Sequence, residues 1–117
     1  ELPDVVMVAG DELAFGVMDG LNSAGLGVPD DILVTGFDGL PQASWAGYDL
    51  TTLVQPTDAL VARAIEVLLD PRERQPLDYT PGTLRIGRTT TRSASARTSA
   101  SRTTAVRNDH KDDTSHA

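Results

Sequence analysis

Residues 5–39 read VVMVAGDELAFGVMDGLNSAGLGVPDDILVTGFDG, and the change of apolar period along this stretch decides the fold. Val5 to Ala9 is a short unbroken apolar run, β-branched at three of its five positions, which predicts a strand covered on both faces in a parallel sheet. Gly10-Asp11 ends it. Asp11 and Glu12 place two carboxylates in a first helical turn, where the positive end of the helix dipole favours them. Leu13, Ala14, Val17, Met18, Leu21 and Ala24 then recur at helical spacing and draw one apolar stripe, and Gly25 suits a left-handed cap. Leu26 to Asp31 reads as a loop fixed by Pro29, and Ile32 to Phe37 as a second buried strand. Strand, helix and strand within about 35 residues form a βαβ unit, which predicts an α/β fold with a parallel sheet and a right-handed crossover.

Downstream, Gly39 to Tyr48 is a loop carrying Trp45 and Tyr48, aromatics suited to a pocket, to an interface or to folding back over the core. Leu50 to Val54 is a third extended segment, closed by Gln55-Pro56 because Pro56 cannot donate to a ladder. Thr57 or Asp58 can cap a helix running to about Leu69, with Leu60, Val61, Ala64, Ile65 and Leu68 on one side. Arg72 to Gly82 is a polar connector, and Thr83 to Gly87 a short final strand.

The 117 residues limit the chain to one domain, and their charge is unevenly placed. Glu1 to Leu84 carries 14 acidic and three basic residues, a balance of −11, whereas Arg85 to Ala117 carries seven basic and three acidic residues, a balance of +4. An acidic body does not wrap a phosphate backbone, so the body is not itself a reader of nucleic acid. From Thr89 onward, Ser, Thr and Ala fill 17 of 29 positions and Val106 is the only large aliphatic residue, too little to offset the entropy of ordering the segment. The boundaries expected are therefore a body at 1–88 and a low-complexity, disordered tail at 89–117. With no cysteine there are no disulfides, cysteine zinc sites or thiol nucleophiles. No apolar run approaches the roughly 20 residues of a membrane-spanning helix.

The chemistry concentrates at the carboxyl ends of the first two strands, at Gly10-Asp11-Glu12 and Asp38-Gly39. Ligands of open α/β sheets bind just beyond such strand ends, and a carboxylate accepts hydrogen bonds from adjacent sugar hydroxyls or a nucleobase amine. Asp11 and Glu12 read also as helix-start residues, and Asp38 as an ordinary turn residue. Catalysis is not expected: His110 and His116 both lie in the tail, no phosphate-binding glycine loop is present, and nothing supplies a nucleophile beside the carboxylates. No metal site and no cofactor is expected.

Three motifs carry a resemblance. Val8-Ala9-Gly10-Asp11-Glu12-Leu13-Ala14-Phe15-Gly16 resembles the "ANDxxAxG" segment of LacI/GalR-type transcriptional repressors, Gly25 to Gly39 resembles their "GLxVPxDVxVxGFDD" stretch, and Leu50 to Pro56 is similar to their "LTTVxQP" hinge. The three occur in family order over roughly residues 3 to 88. The resemblance implies a Rossmann-like parallel sheet belonging to part of a periplasmic-binding-protein-like type I fold, in which two lobes close on a small sugar or purine. Closure would change how a homodimer holds its DNA-reading modules, a population shift set by differential ligand affinity.

On that resemblance the first two strands lie in the carboxyl-terminal lobe, Leu50 to Gln55 crosses the hinge, and the helix from Asp58 packs in the other lobe. Asp38 falls on the family's ligand-binding aspartate. Gly10 falls where the family usually has an asparagine that hydrogen-bonds the ligand, which glycine cannot do. Glu12 occupies a position able to face the pocket, and Gln55 and Leu60 lie near the hinge and the opposite lobe. The implied partners are a small effector and operator DNA, the latter through a helix-turn-helix module that this chain does not contain, in a cytoplasmic protein with no membrane contact. Such a partial sheet is expected to be marginal alone, with open apolar edges. Two alternatives remain: a sugar-binding component of an ABC-type transporter, which shares the two-lobed plan, and a remnant without activity of its own.

Overall fold

The structure, a computed structural model, describes residues 1–73 and 79–93 and is built on a four-stranded sheet. The strands β1 (Val5–Met7), β2 (Leu33–Asp38), β3 (Thr51–Val54) and β4 (Thr83–Arg85) stand in sheet order as in sequence order. β1 and β3 flank β2 in parallel, and β4 closes the far edge antiparallel to β3. Helix α1 (Asp11–Ser23) joins β1 to β2, so the expected βαβ unit is present. Gly25, at φ +76°, takes the left-handed conformation that ends α1.

Helix α1 packs its stripe on one face of the sheet. Ala14 and Met18 form the core with Val34 of β2, Ala43 of the loop and Leu50 before β3, and Val8, Phe15, Val17, Leu21 and Tyr48 close around it. Side chains alternate along a strand, so Val34 shares its face with Gly36, with Val6 across the register in β1 and with Thr52 opposite Gly36 in β3. Val5, Met7, Phe37 and Leu84 point to the other face. The expectation that β1 is covered on both sides is thus corrected: Val5 is 42% and Met7 81% exposed, because among the described residues no α-helix covers β1 there.

The second helix, α2 (Thr57–Leu69), has the predicted span and apolar side but buries none of its residues. Its start is also corrected. Pro56 occupies the cap position and no side chain caps the helix, so neither Thr57 nor Asp58 does so. Leu60 N–H donates to the Pro56 carbonyl and the helix starts without a side-chain acceptor.

The body does not end at Arg88. Residues Arg88–Thr90 form a 3-10 turn in which Thr89 is fully buried and its hydroxyl accepts the Thr51 N–H at 2.9 Å. Thr51 Oγ1 in turn lies 2.7 Å from Thr90 Oγ1 and receives the Gly87 N–H. The polar composition of this stretch hid its fit, because threonine hydroxyls supply the hydrogen bonds that buried backbone needs. Residues 94–117, with His110 and His116, lie outside the described residues.

Candidate functional site

Parallel strands β1, β2 and β3 all end on one edge of the sheet, and the three sequence motifs meet there. Asp38 is the last residue of β2, and its register partner is Val54, the last of β3. The chain turns directly after Asp38, and both turn residues have positive φ: Asp38 at +135° and Gly39 at +76°. Glycine is required at 39, since a Cβ there would stand 2.7 Å from the Val54 Cα. A non-glycine residue held at positive φ stores strain, and such residues concentrate at ligand sites. Asp38 is fastened from both ends. Its carbonyl accepts the Gln55 N–H at 3.1 Å and its Oδ1 accepts the Gln55 side-chain amide at 2.6 Å.

Asp38 Oδ2 has no donor among the described residues and faces Gly10, whose added Cβ would lie 3.4 Å from it. Gly10, Asp38 and Gln55 are therefore brought together at one place, all partly buried. Glu12 is not joined to them: it lies exposed in the first turn of α1, with no hydrogen bond to the other three. Leu60 sits on the exposed side of α2.

Asp11 plays a part that its sequence context concealed. It reads as a helix-start carboxylate, yet Gly10 is the cap residue and no side chain caps α1. Instead Asp11 is fully buried, with Oδ1 accepting the Thr52 hydroxyl at 2.6 Å and Oδ2 accepting the Leu40 N–H at 2.7 Å. One carboxylate thus ties the start of α1 to β3 and to the turn after Asp38. Gly36 makes room for it, because a Cβ at that position would collide with Asp11 Oδ1 and stand 2.8 Å from Leu50 Cδ2. The signal in the sequence was indirect: the small residue two positions before Asp38 lies on the face that α1 covers.

The arginines of the sheet gather at one end of it. At the amino ends of the strands, Arg85 donates to the Leu50 carbonyl and to Asp49, Arg88 to the carbonyls of Val28 and Gly47, and Arg92 to that of Pro29. The Arg85 guanidinium beside Asp49, helped by the Arg88 N–H, holds the Asp49 carboxyl below its usual value. Arg63 and Arg72 are engaged around α2, with Glu66 and Asp70. The carboxyl ends, by contrast, present Asp38 and the exposed Glu12. Such an edge accepts hydrogen bonds from hydroxyls or amines and opposes a phosphate.

The loop aromatics divide. Tyr48 folds back on the core and stacks on Phe15 with ring centroids 4.3 Å apart, whereas Trp45 remains 59% exposed. A cavity of about 270 Å³, lined by Met18, Asp19, Asn22, Val28, Tyr48 and Arg88, opens on the flank of α1 away from Asp38. Among the described residues no helix is long and apolar enough to cross a membrane, and no three acidic or histidine side chains converge as a metal site would need.

Comparison with known proteins agrees with this fold. A family profile described as "Periplasmic binding protein-like domain" matches residues 1–90. The chain is 41% identical over 68 residues to the HTH-type transcriptional repressor PurR of Edwardsiella ictaluri, covering 58% of this chain and 20% of that protein. It is 43% identical over 67 residues to the ribose operon repressor of Escherichia coli K12, covering 57% and 20%. Among solved structures it is similar to a LacI family regulator from Lactobacillus casei with bound sucrose (TM-score 0.60, 40% identity, 74% of this chain and 33% of that one). It is also similar to the lac repressor dimer bound to operator and the anti-inducer ONPF (TM-score 0.66, 30% identity, 76% and 28%). The chain spans about a fifth of the length of the curated relatives it matches.

Proposed function

The chain belongs to the periplasmic binding protein-like domain family, in its LacI-type regulator branch, and from that premise we propose that residues 1–90 are part of an effector sensor that binds a small neutral or amine-bearing molecule of the sugar or nucleobase class. Asp38 carries the reading. It is a strained aspartate at the end of a central parallel strand, with one oxygen held by Gln55 and the other open to a ligand donor. Gly10 and Gln55 complete the wall around it, and Glu12 stands at its rim. Asp11 is a positioning residue that joins the three segments supplying this wall and touches no ligand itself.

In the full regulator, ligand would draw a second lobe onto this edge. α2, which leaves the sheet directly after Gln55 and buries nothing here, belongs to that lobe in this reading. The closed and open arrangements would differ in affinity for the effector, and through a homodimer would bias a helix-turn-helix module on operator DNA. The relatives are transcriptional repressors, which places the transporter alternative second.

The test is a ligand-induced thermal shift on the full chain with D-glucose, D-ribose and sucrose as probes. Asp38→Ala is expected to abolish any shift seen with the parent, since the carboxylate that accepts the ligand hydroxyls is gone. A shift that survives the substitution would sink the assignment of Asp38.

A further inference from the structure

We infer that Gly10 sets the specificity of the Asp38 site, its missing side chain clearing a space in which a ligand substituent lies against the Gly10 α-carbon while the adjoining hydroxyl donates to Asp38 Oδ2. The inference rests on the sensing function proposed above.

The fold does not ask for glycine at position 10. The backbone there is extended, with φ −161° and ψ 151°, a conformation any residue adopts. Nor does packing exclude a side chain: an added Cβ would meet a single atom, Asp38 Oδ2, at the ordinary contact distance of 3.4 Å. The contrast with Gly36 and Gly39 is direct, because a Cβ at either of those would overlap Leu50 or Val54. Helix capping favours a polar side chain at this position, since Gly10 is the cap residue of α1 and no side-chain acceptor serves that end.

What glycine leaves open is the approach to one oxygen. Gln55 holds Asp38 Oδ1 at 2.6 Å and so fixes the carboxylate with Oδ2 turned toward Gly10. Any side chain at position 10 would begin within contact of that oxygen and lie across it. With glycine the oxygen and the neighbouring α-carbon form a polar point beside an apolar floor. A hydroxyl with an adjacent carbon, as in the hydroxymethyl group or vicinal carbons of a polyhydroxylated ring, matches that pair. The arginines of the sheet lie at its amino ends, so none of them offers a partner to an anionic substituent here.

The experiment compares the full chain with Gly10→Ser, Gly10→Thr and Asp38→Ala, titrating D-glucose, D-ribose and sucrose and reading both the ligand-free Tm and the sugar dependence. Gly10→Ser is expected to keep or raise the ligand-free Tm by a few degrees, from the added cap and a less flexible unfolded chain. Sugar affinity is expected to fall about threefold with serine and about tenfold or more with threonine, in step with the space filled. If the parent responds to a sugar through Asp38 and both position-10 variants respond equally well, the clearing is disproved while the sensing function stands. A ligand-free Tm lowered by several degrees in Gly10→Ser would also overturn it, since glycine would then be structural. No response in the parent, or one that Asp38→Ala retains, removes the sensing function for these sugars and this inference with it.

Discussion

A fully buried carboxylate needs both its oxygens satisfied, and Asp11 meets that need with the Thr52 hydroxyl and the Leu40 N–H. Because these donors come from β3 and from the turn after Asp38, the same two bonds set the distance between the motifs. Gly36→Ala is expected to destabilise the chain by about 1–3 kcal/mol through overpacking against Asp11 and Leu50. Asp11→Ala, which leaves the buried Thr52 hydroxyl and the Leu40 amide without their acceptor, should cost a similar amount or more. Urea unfolding of both variants checks this; a loss below about 0.5 kcal/mol in each would mean that the cluster does not hold the site. Asp38 and Gly10 were legible as site candidates because their places at strand ends follow from the chain alone, and Gln55 through the family resemblance of the segment it closes. Asp11 was not legible as a tie between elements, since its partners lie 29 and 41 residues away and nothing local distinguishes it from a helix-start acid.

At the scale of elements, β4 shows how a three-residue strand is retained. It pairs with β3 over Thr83 to Arg85, and Arg85 reaches past the ladder to the Leu50 carbonyl at 2.7 Å and to Asp49 at 2.9 Å. Asp49 has its carboxyl pKa lowered in the folded state, chiefly by the hydrogen bond from Arg85. Its contribution is therefore fully present above the unfolded carboxylate value of 3.8 and is lost as pH falls through the lower folded value. The protection of β4 amides against hydrogen exchange, relative to intrinsic exchange at each pH, should fall below about pH 4 in the parent, whereas Asp49→Asn should be less protected already at neutral pH and lose that acid-dependent step. Equal pH profiles for the two chains would show that the pair does not retain the strand. The helices divide along the same line. Both stripes were legible from periodicity, but only α1 has a sheet beneath it, and a 13-residue helix without packing is marginal.

For the whole molecule, two apolar surfaces remain uncovered among the described residues. One is the far face of the sheet, with Met7 and Leu84; the other is the side of α2, where Leu68 is 79% exposed. Contiguous exposed apolar area favours association. Met7→Lys is expected to leave the unfolding free energy within about 0.5 kcal/mol of the parent while reducing light scattering of concentrated solutions, since Met7 packs on little here. A larger loss of stability would show that the sheet face is covered in solution.

The amino-acid sequence by itself determined the βαβ unit, the parallel sheet, the three motifs and the edge where they converge. These depend on periodicity, on turn residues and on the rule that parallel strands end together, all of them local or topological properties. The tertiary structure decided the rest: which acid is buried and which is open, that Thr89 belongs to the body, that α2 buries nothing, and that one sheet face leaves Met7, Phe37 and Leu84 exposed. Burial and hydrogen-bond partnership depend on what lies across space from a residue, and a sequence pattern records which face is apolar without recording what, if anything, packs against it.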